Sequence, residues 1–318
     1  MTPFRQRETA QTELSALKAL LQATPDDPFA KPMLTDRIHE LEASLAAMEH
    51  RPQLAPEAEI FFEDGPTLGS EGIEVTFTSN ILDSYQNMLR DHYAAKHCGV
   101  LRHSGRQRGA NQAKLYLTAL PRGSFGLQLS QPHVQDFVAA QNLSAVMQDI
   151  SALVAATAKS DQAFEESLNT FNPRVLKPLQ RFIETLFNNK ATCRLITGST
   201  ETKLNKHQVE EAYARVTSAR EREEEIELPG VFGGLLTYSW EFDFQPDQGD
   251  LIRGPVADEV DDQKAAEWNL HLTHAHTVAT LKRLTVSTRT GDKKPSYELL
   301  DLRESDRLPA KTTPPPKK

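Results

Sequence analysis

The residues best equipped for chemistry fall in small groups, and each group lacks a partner that its reaction would need. His271, His274 and His276 form the one histidine cluster. On a strand, His274 and His276 share a face and His271 points the other way; on a helix only His271 and His274 are neighbours. Neither arrangement supplies a third metal ligand nearby. His271-Leu272-Thr273 is half of a two-histidine phosphodiesterase signature, and no second His-x-Ser/Thr exists in the chain. Asp243, Asp247 and Asp250 begin like a calcium loop, but Gln248 stands where the loop needs glycine and no glutamate closes it. Glu201-Thr202-Lys203 is the Glu-x-Lys half of a nuclease-type metal site without its aspartate. His39-Glu40-Leu41-Glu42-Ala43 starts like a zinc-protease helix and has alanine where the second histidine belongs. Gly123-Ser124-Phe125-Gly126 is short of a nucleophile elbow, because Arg122 occupies the first glycine position. Neither a P-loop nor a dinucleotide fingerprint is present. These residues call for no catalytic group, no metal and no cofactor. The expectation leans away from an enzyme, and a site assembled from distant residues stays open.

Binding chemistry is easier to place. Arg102, His103, Arg106, Arg108 and Lys114 follow one another with no acidic residue between the ends, and Gly105 and Gly109 mark a loop. Read plainly this is a solvated basic loop; Arg102, Arg106, Arg108 and Lys114 are the candidates if it binds an anion or nucleic acid. The whole chain argues against nucleic acid as the main partner. It carries 36 basic against 44 acidic side chains, a net charge of -8, whereas phosphate neutralisation needs a basic surplus. Phe232, Tyr238, Trp240, Phe242 and Phe244 could stack on single-stranded bases, or simply fill a core. Glu221 to Glu227, "EREEEIE", reads as an exposed hinge or the start of a strand. Asp258, Glu259, Asp261 and Asp262 read as a solvated acidic cluster.

The elements that would position these groups divide the 318 residues into an α+β protein of three parts and a tail. Hydrophobic residues at 38% suffice for folded cores. No apolar run approaches the roughly 18 to 20 residues of a membrane helix. The N-terminus has no apolar signal core, and Cys98 and Cys193 are too few for a disulfide framework. A cytoplasmic, bacterial-type protein with no membrane role is expected. Ala10, Leu14, Leu17 and Leu21 make one helical stripe, Pro25, Pro28 and Pro32 interrupt it, and Leu34, Ile38, Leu41, Leu45 and Met48 follow at 4-3-4-3 spacing. Residues 1–52 are therefore expected to form an antiparallel helical hairpin. Its a/d seam either packs within the chain or serves as a partner or dimer interface. Residues 57–220 read as an α+β domain. "AEIFFEDG" and "GIEVTFTS" are β-rich runs, a helix begins near Asn80, and "KLYLTAL" and "SFGLQLS" form a hairpin. Residues 228–303 offer five short strands and read as an all-β small barrel, SH3-like or OB-like. Residues 307–318, rich in proline and lysine, read as a disordered tail.

"EDGPTLGSEGIEVTF" at 63–77, "LPRGSFGLQL" at 120–129 and "WEFDFQPDQGDLIRGPV" at 240–256 together resemble a family of uncharacterised bacterial proteins. The shared positions are glycines and apolar residues, so the resemblance implies a common fold and carries over no catalytic residue. It also implies a setting, because such families often lie in variable genomic regions that include phage-defence loci. The expected function is a non-enzymatic protein-interaction or regulatory component, acting with a protein partner or a second copy. The alternative is nucleic-acid binding through the small barrel and the basic loop.

Overall fold

The computed structural model describes residues 3–23, 30–49, 56–69, 71–97, 110–121, 125–132, 136–291 and 295–305. The basic-loop residues Arg102, Arg106 and Arg108 and the 307–318 tail lie outside these. Helices α1 (Pro3–Ala23) and α2 (Ala30–Glu49) pack on one another. Six residues separate them, a reach of about 24 Å at most, which is shorter than either helix at 1.5 Å per residue. The pair must therefore run antiparallel. Leu34, Ile38 and Leu41 are buried in the seam with Ala10, while Leu14, Leu17, Leu21 and Leu45 are half-buried. Glu13–Arg37 at 2.9 Å and Lys18–Glu42 at 2.8 Å cross between the helices. These exposed pairs fix register more than they stabilise.

The next unit contains β1 (Glu57–Glu63), the two-residue strands β2 (Thr67–Leu68) and β3 (Gly72–Ile73), and α3 (Val75–His97). Then come β4 (Tyr116–Ala119), β5 (Phe125–Ser130), α4 (Phe137–Lys159), α5 (Asp161–Leu168), α6 (Leu176–Asn188), β6 (Thr192–Thr197), β7 (Thr200–Leu204) and α7 (Lys206–Ser218). Five strands form an antiparallel sheet in the order β4-β5-β1-β6-β7. Alternation along β1 sends Ala58, Ile60 and Phe62 to one face, and the register aligns Phe125–Phe62–Cys193 and Leu127–Ile60–Leu195 in rows. Those rows meet α3, α4, α6 and α7 in one core.

Val75 and Phe77, expected in a strand, open α3 instead. Phe77, Ile81, Tyr85, Met88 and Leu89 repeat at helical spacing and are all buried, and that longer period outweighs a three-residue alternation. The Phe77 ring meets Phe62 edge to face, centroids 5.0 Å apart. On the opposite face of the sheet the row is Gly126–Phe61–Arg194. A Cβ on Gly126 would lie 2.5 Å from the Phe61 ring, so glycine makes room for it. Arg194 sits over the same ring, pairs with Glu201, and reaches Glu8 of α1 at 3.0 Å, tethering the helical pair to the sheet.

The last part holds β8 (Arg220–Leu236), β9 (Glu241–Pro246), β10 (Ile252–Pro255), α8 (Asp262–His271), β11 (His276–Ser287) and β12 (Ser296–Glu304). The all-β expectation missed α8. Asp261 caps it by accepting from the Lys264 amide, and Ala265 and Trp268 turn into the core, so part of the supposed solvated acidic cluster is a helix start. The sheet order is β10-β9-β8-β11-β12. Among the described residues no ladder closes this sheet into the expected barrel. Its edges instead curl together at one point, where Val256 bridges Leu299 and the Ala257 amide donates to the Leu299 carbonyl at 2.9 Å.

Strands β8 and β11 pair from Arg220↔Ser287 to Val231↔His276. The Glu221–Glu227 run is thus strand, its charge matched by Glu223–Lys282, Glu224–Arg283 at 2.7 Å and Glu227–Arg303 at 2.6 Å. Val286 near the far end of this ribbon enters the core of the preceding unit. No helix among the described residues is long and apolar enough to cross a membrane.

Candidate functional site

Leu34, Ile38 and Leu41, considered above as a partner interface, are covered within the chain, because α1 and α2 satisfy each other's stripe. Leu45 is half-buried, and the Met48 side chain lies outside the description. Of the basic-loop candidates only Lys114 is described; it is exposed, with its Nζ 5.3 Å from the Tyr116 ring centroid. Phe232, Phe242 and Phe244 are fully buried. They serve as core, which removes them from any base-stacking platform.

The fragmentary metal motifs are absorbed by pairing. Asp243 pairs with Arg253 at 3.0 Å and Asp247 with His276 at 2.9 Å. Glu201 is held by Arg194 and Lys203. Among the described residues no cluster of three or more His, Cys, Asp and Glu side chains could hold a metal ion.

One histidine is set apart. His92 Nε2 and Lys96 Nζ, one helical turn apart on α3, converge on Asp149 Oδ2 of α4 at 3.0 and 2.8 Å, and the His92 ring lies against Phe171, centroids 4.0 Å apart. Burial acts to raise the Asp149 carboxyl. Hydrogen bonds from His92 and Lys96 outweigh it and hold the group below its ordinary 3.8. A lowered native value means stability that is present above 3.8 and lost as pH falls through the native value. Asp149→Asn should therefore be less stable than wild type at pH 7, with the gap closing in strong acid. Urea midpoints at stepped pH test this, and a gap that ignores pH would refute it.

Two surfaces stand out once these groups are placed. The first is β4, an edge strand that pairs with β5 alone among the described residues. All four of its residues are exposed. Tyr116 is 49% exposed and Leu117 50%, and Leu120 just beyond is 60% exposed. Tyr116 stands opposite Ser130 and Leu117 opposite Leu129, so the two apolar side chains lie on opposite faces. The ladder slips between Leu117 and Ala119, where the Thr118 hydroxyl bonds with that of Ser130 at 3.1 Å.

The second is a cleft of about 270 Å³ where the β8–β11 ribbon meets α3 and α6. Arg90 and Asp91 come from α3. Arg174, in the short 3-10 turn Pro173–Val175, leads to Lys177 and Arg181 on α6, and the ribbon supplies Glu221, Glu223 and Leu284. Lys177 Nζ lies 2.7 Å from Glu221 Oε2, and Arg181 Nη1 lies 3.2 Å from Asp83 Oδ2. Asp91 is 93% buried by its side-chain exposure of 7%; its carboxylate is 3.7 Å from Arg90 Nε and 3.9 Å from Arg174 Nε. Those separations are ion pairs without hydrogen bonds. Burial pushes the Asp91 carboxyl up, against the pull of Arg174 and Arg90. Asp91 Oδ1, Arg90 Nε and Glu221 Oε1 are buried and have no hydrogen-bond partner.

Sequence reasoning found β4 as a strand but not as an edge, and did not find the cleft. Of its lining, Glu221 and Glu223 stood in a run that the sequence singled out. No family model, curated protein or solved structure matches the chain.

Proposed function

We propose that the chain is a non-enzymatic protein-interaction component, regulatory in kind, of a cytoplasmic bacterial multi-protein system. An extended segment of a protein partner docks on β4 by continuing the sheet. The observation that carries this reading is the exposed β4 edge, paired along one side among the described residues, with Tyr116 and Leu117 on it and Leu120 just beyond it apolar and open. Such an edge is a template for pairing, with main-chain hydrogen bonds giving affinity and the flanking apolar side chains giving selectivity. The C-terminal sheet, curled until its edges touch, serves in this reading as a small-barrel adaptor module of the SH3-like or OB-like kind. The phage-defence setting rests on the sequence resemblance alone.

The test is recovery of a partner by the tagged full chain from its native cell, alongside Leu117→Asp. Leu117 is half exposed, so the change should cost within about 0.5 kcal/mol of stability. The partner held by wild type should drop at least tenfold with Leu117→Asp and persist with a control, Leu270→Asp, on the exposed side of α8. Equal recovery by both variants would defeat the reading. So would a wild-type chain that stays monomeric by light scattering and retains no partner.

A further inference from the structure

The cleft between α3, α6 and the β8–β11 ribbon has the make-up of a ligand site. Arg174, Lys177 and Arg181 are spaced by three and four residues, which places them along one side of the turn and helix. Arg90 faces them from α3, so four cations converge in a chain whose net charge is -8. Three carboxylates, Asp91, Glu221 and Glu223, line the same space. This mixture decides what fits. A simple anion would be drawn to the guanidinium groups but would face the buried, unbonded oxygens of Asp91 and Glu221. A simple cation would satisfy those oxygens and be repelled by four positive side chains.

We propose that the cleft binds a phosphate monoester whose organic part carries hydroxyl groups. The phosphoryl oxygens accept from Arg90, Arg174 and Arg181, whose planar forks match two oxygens at a time, and from Lys177 as a point charge. The ligand's hydroxyls donate to Asp91 Oδ1 and Glu221 Oε1, the two buried acceptors that have no hydrogen-bond partner. Lys177 Nζ contacts Oε2 of Glu221, so Oε1 is the oxygen left for a hydroxyl. The volume of about 270 Å³ lies just below the roughly 300 to 1,000 Å³ of ordinary small-molecule pockets, which restricts the cleft to a small ligand. Its position between two packed units is where such pockets concentrate. The inference does not rest on β4.

Calorimetric titration of the full chain in 150 mM KCl tests it. The probes are ribose 5-phosphate, glucose 6-phosphate, glycerol 3-phosphate, adenosine monophosphate, inorganic phosphate and ribose. At least one ester should bind saturably and at least tenfold more tightly than either inorganic phosphate or ribose. The double variant Lys177→Ala/Arg181→Ala alters two mostly exposed side chains. It should keep the wild-type melting temperature and lose at least tenfold in affinity for that ester. Leu117→Asp should bind the ester as wild type does, which separates this result from the β4 reading. No saturable binding of any ester, or binding that the double variant leaves unchanged, overturns the proposal. Inorganic phosphate binding as tightly as the esters also overturns it, since the hydroxyls would then contribute nothing.

Discussion

Phe244→Ala should remove about 3 to 5 kcal/mol of stability, the cost of taking a buried aromatic ring from a core that can only partly collapse. Phe244 is fully buried on β9. It stands directly between Phe232 on β8 and Ile252 on β10 in the register, so the lost ring opens the middle of the smaller core. A domain's whole stability is about 5 to 15 kcal/mol, so the variant approaches unfolding of this part. Both tryptophans of the chain, Trp240 and Trp268, pack in that core. Their fluorescence reports it selectively, while far-UV circular dichroism is dominated by the helices of the other units. The tryptophan transition should move to lower denaturant. If it stayed at the wild-type midpoint, the assignment of Phe244 to the centre of this core would be wrong. If the helical signal moved equally, the β8–β11 ribbon would be coupling the two cores into one cooperative unit.

Gly254→Ala is the second large effect, and it probes how the C-terminal sheet curls. A Cβ at Gly254 would lie 2.1 Å from the Tyr297 backbone oxygen and 3.1 Å from the Phe242 ring. The obstacle is main chain, so no side-chain rotation relieves it, and β10 must move away from β12. Overpacking of this kind costs about 1 to 3 kcal/mol. The structural signature should be faster amide exchange at Ala257, whose N–H bonds to the Leu299 carbonyl where the edges meet. Gly72→Ala is the matched control, because nothing lies near the added methyl, and its change should stay within about 0.5 kcal/mol. Unaltered exchange at Ala257 in Gly254→Ala would mean that the edges do not depend on this close approach.

Much of the fold was legible because it is written in short-range patterns. The 4-3-4-3 stripe from Leu34 implied a helix that pairs with its neighbour, and the prolines implied a break before it, although Pro32 lies in the first turn of α2. The β4–β5 hairpin, β6 and α7 followed from apolar runs between turn residues. The errors were also local. Val75 and Phe77 alternate over too few residues to define a strand against the helical period that follows them. Helix α8 is ten residues long and begins in an acidic stretch, so its cap at Asp261 was mistaken for solvated charge.

The sequence alone determined the periodicities, the breaks and the kinds of element, since each depends on residues within a few positions of one another. Tertiary structure decided the strand order that leaves β4 at an edge and the curl that brings Gly254 against Tyr297. It also decided the meeting of Arg90, Arg174 and Glu221 in one cleft. Those residues are dozens of positions apart along the chain, and only chain closure around two buried cores brings them together, which no local spacing encodes.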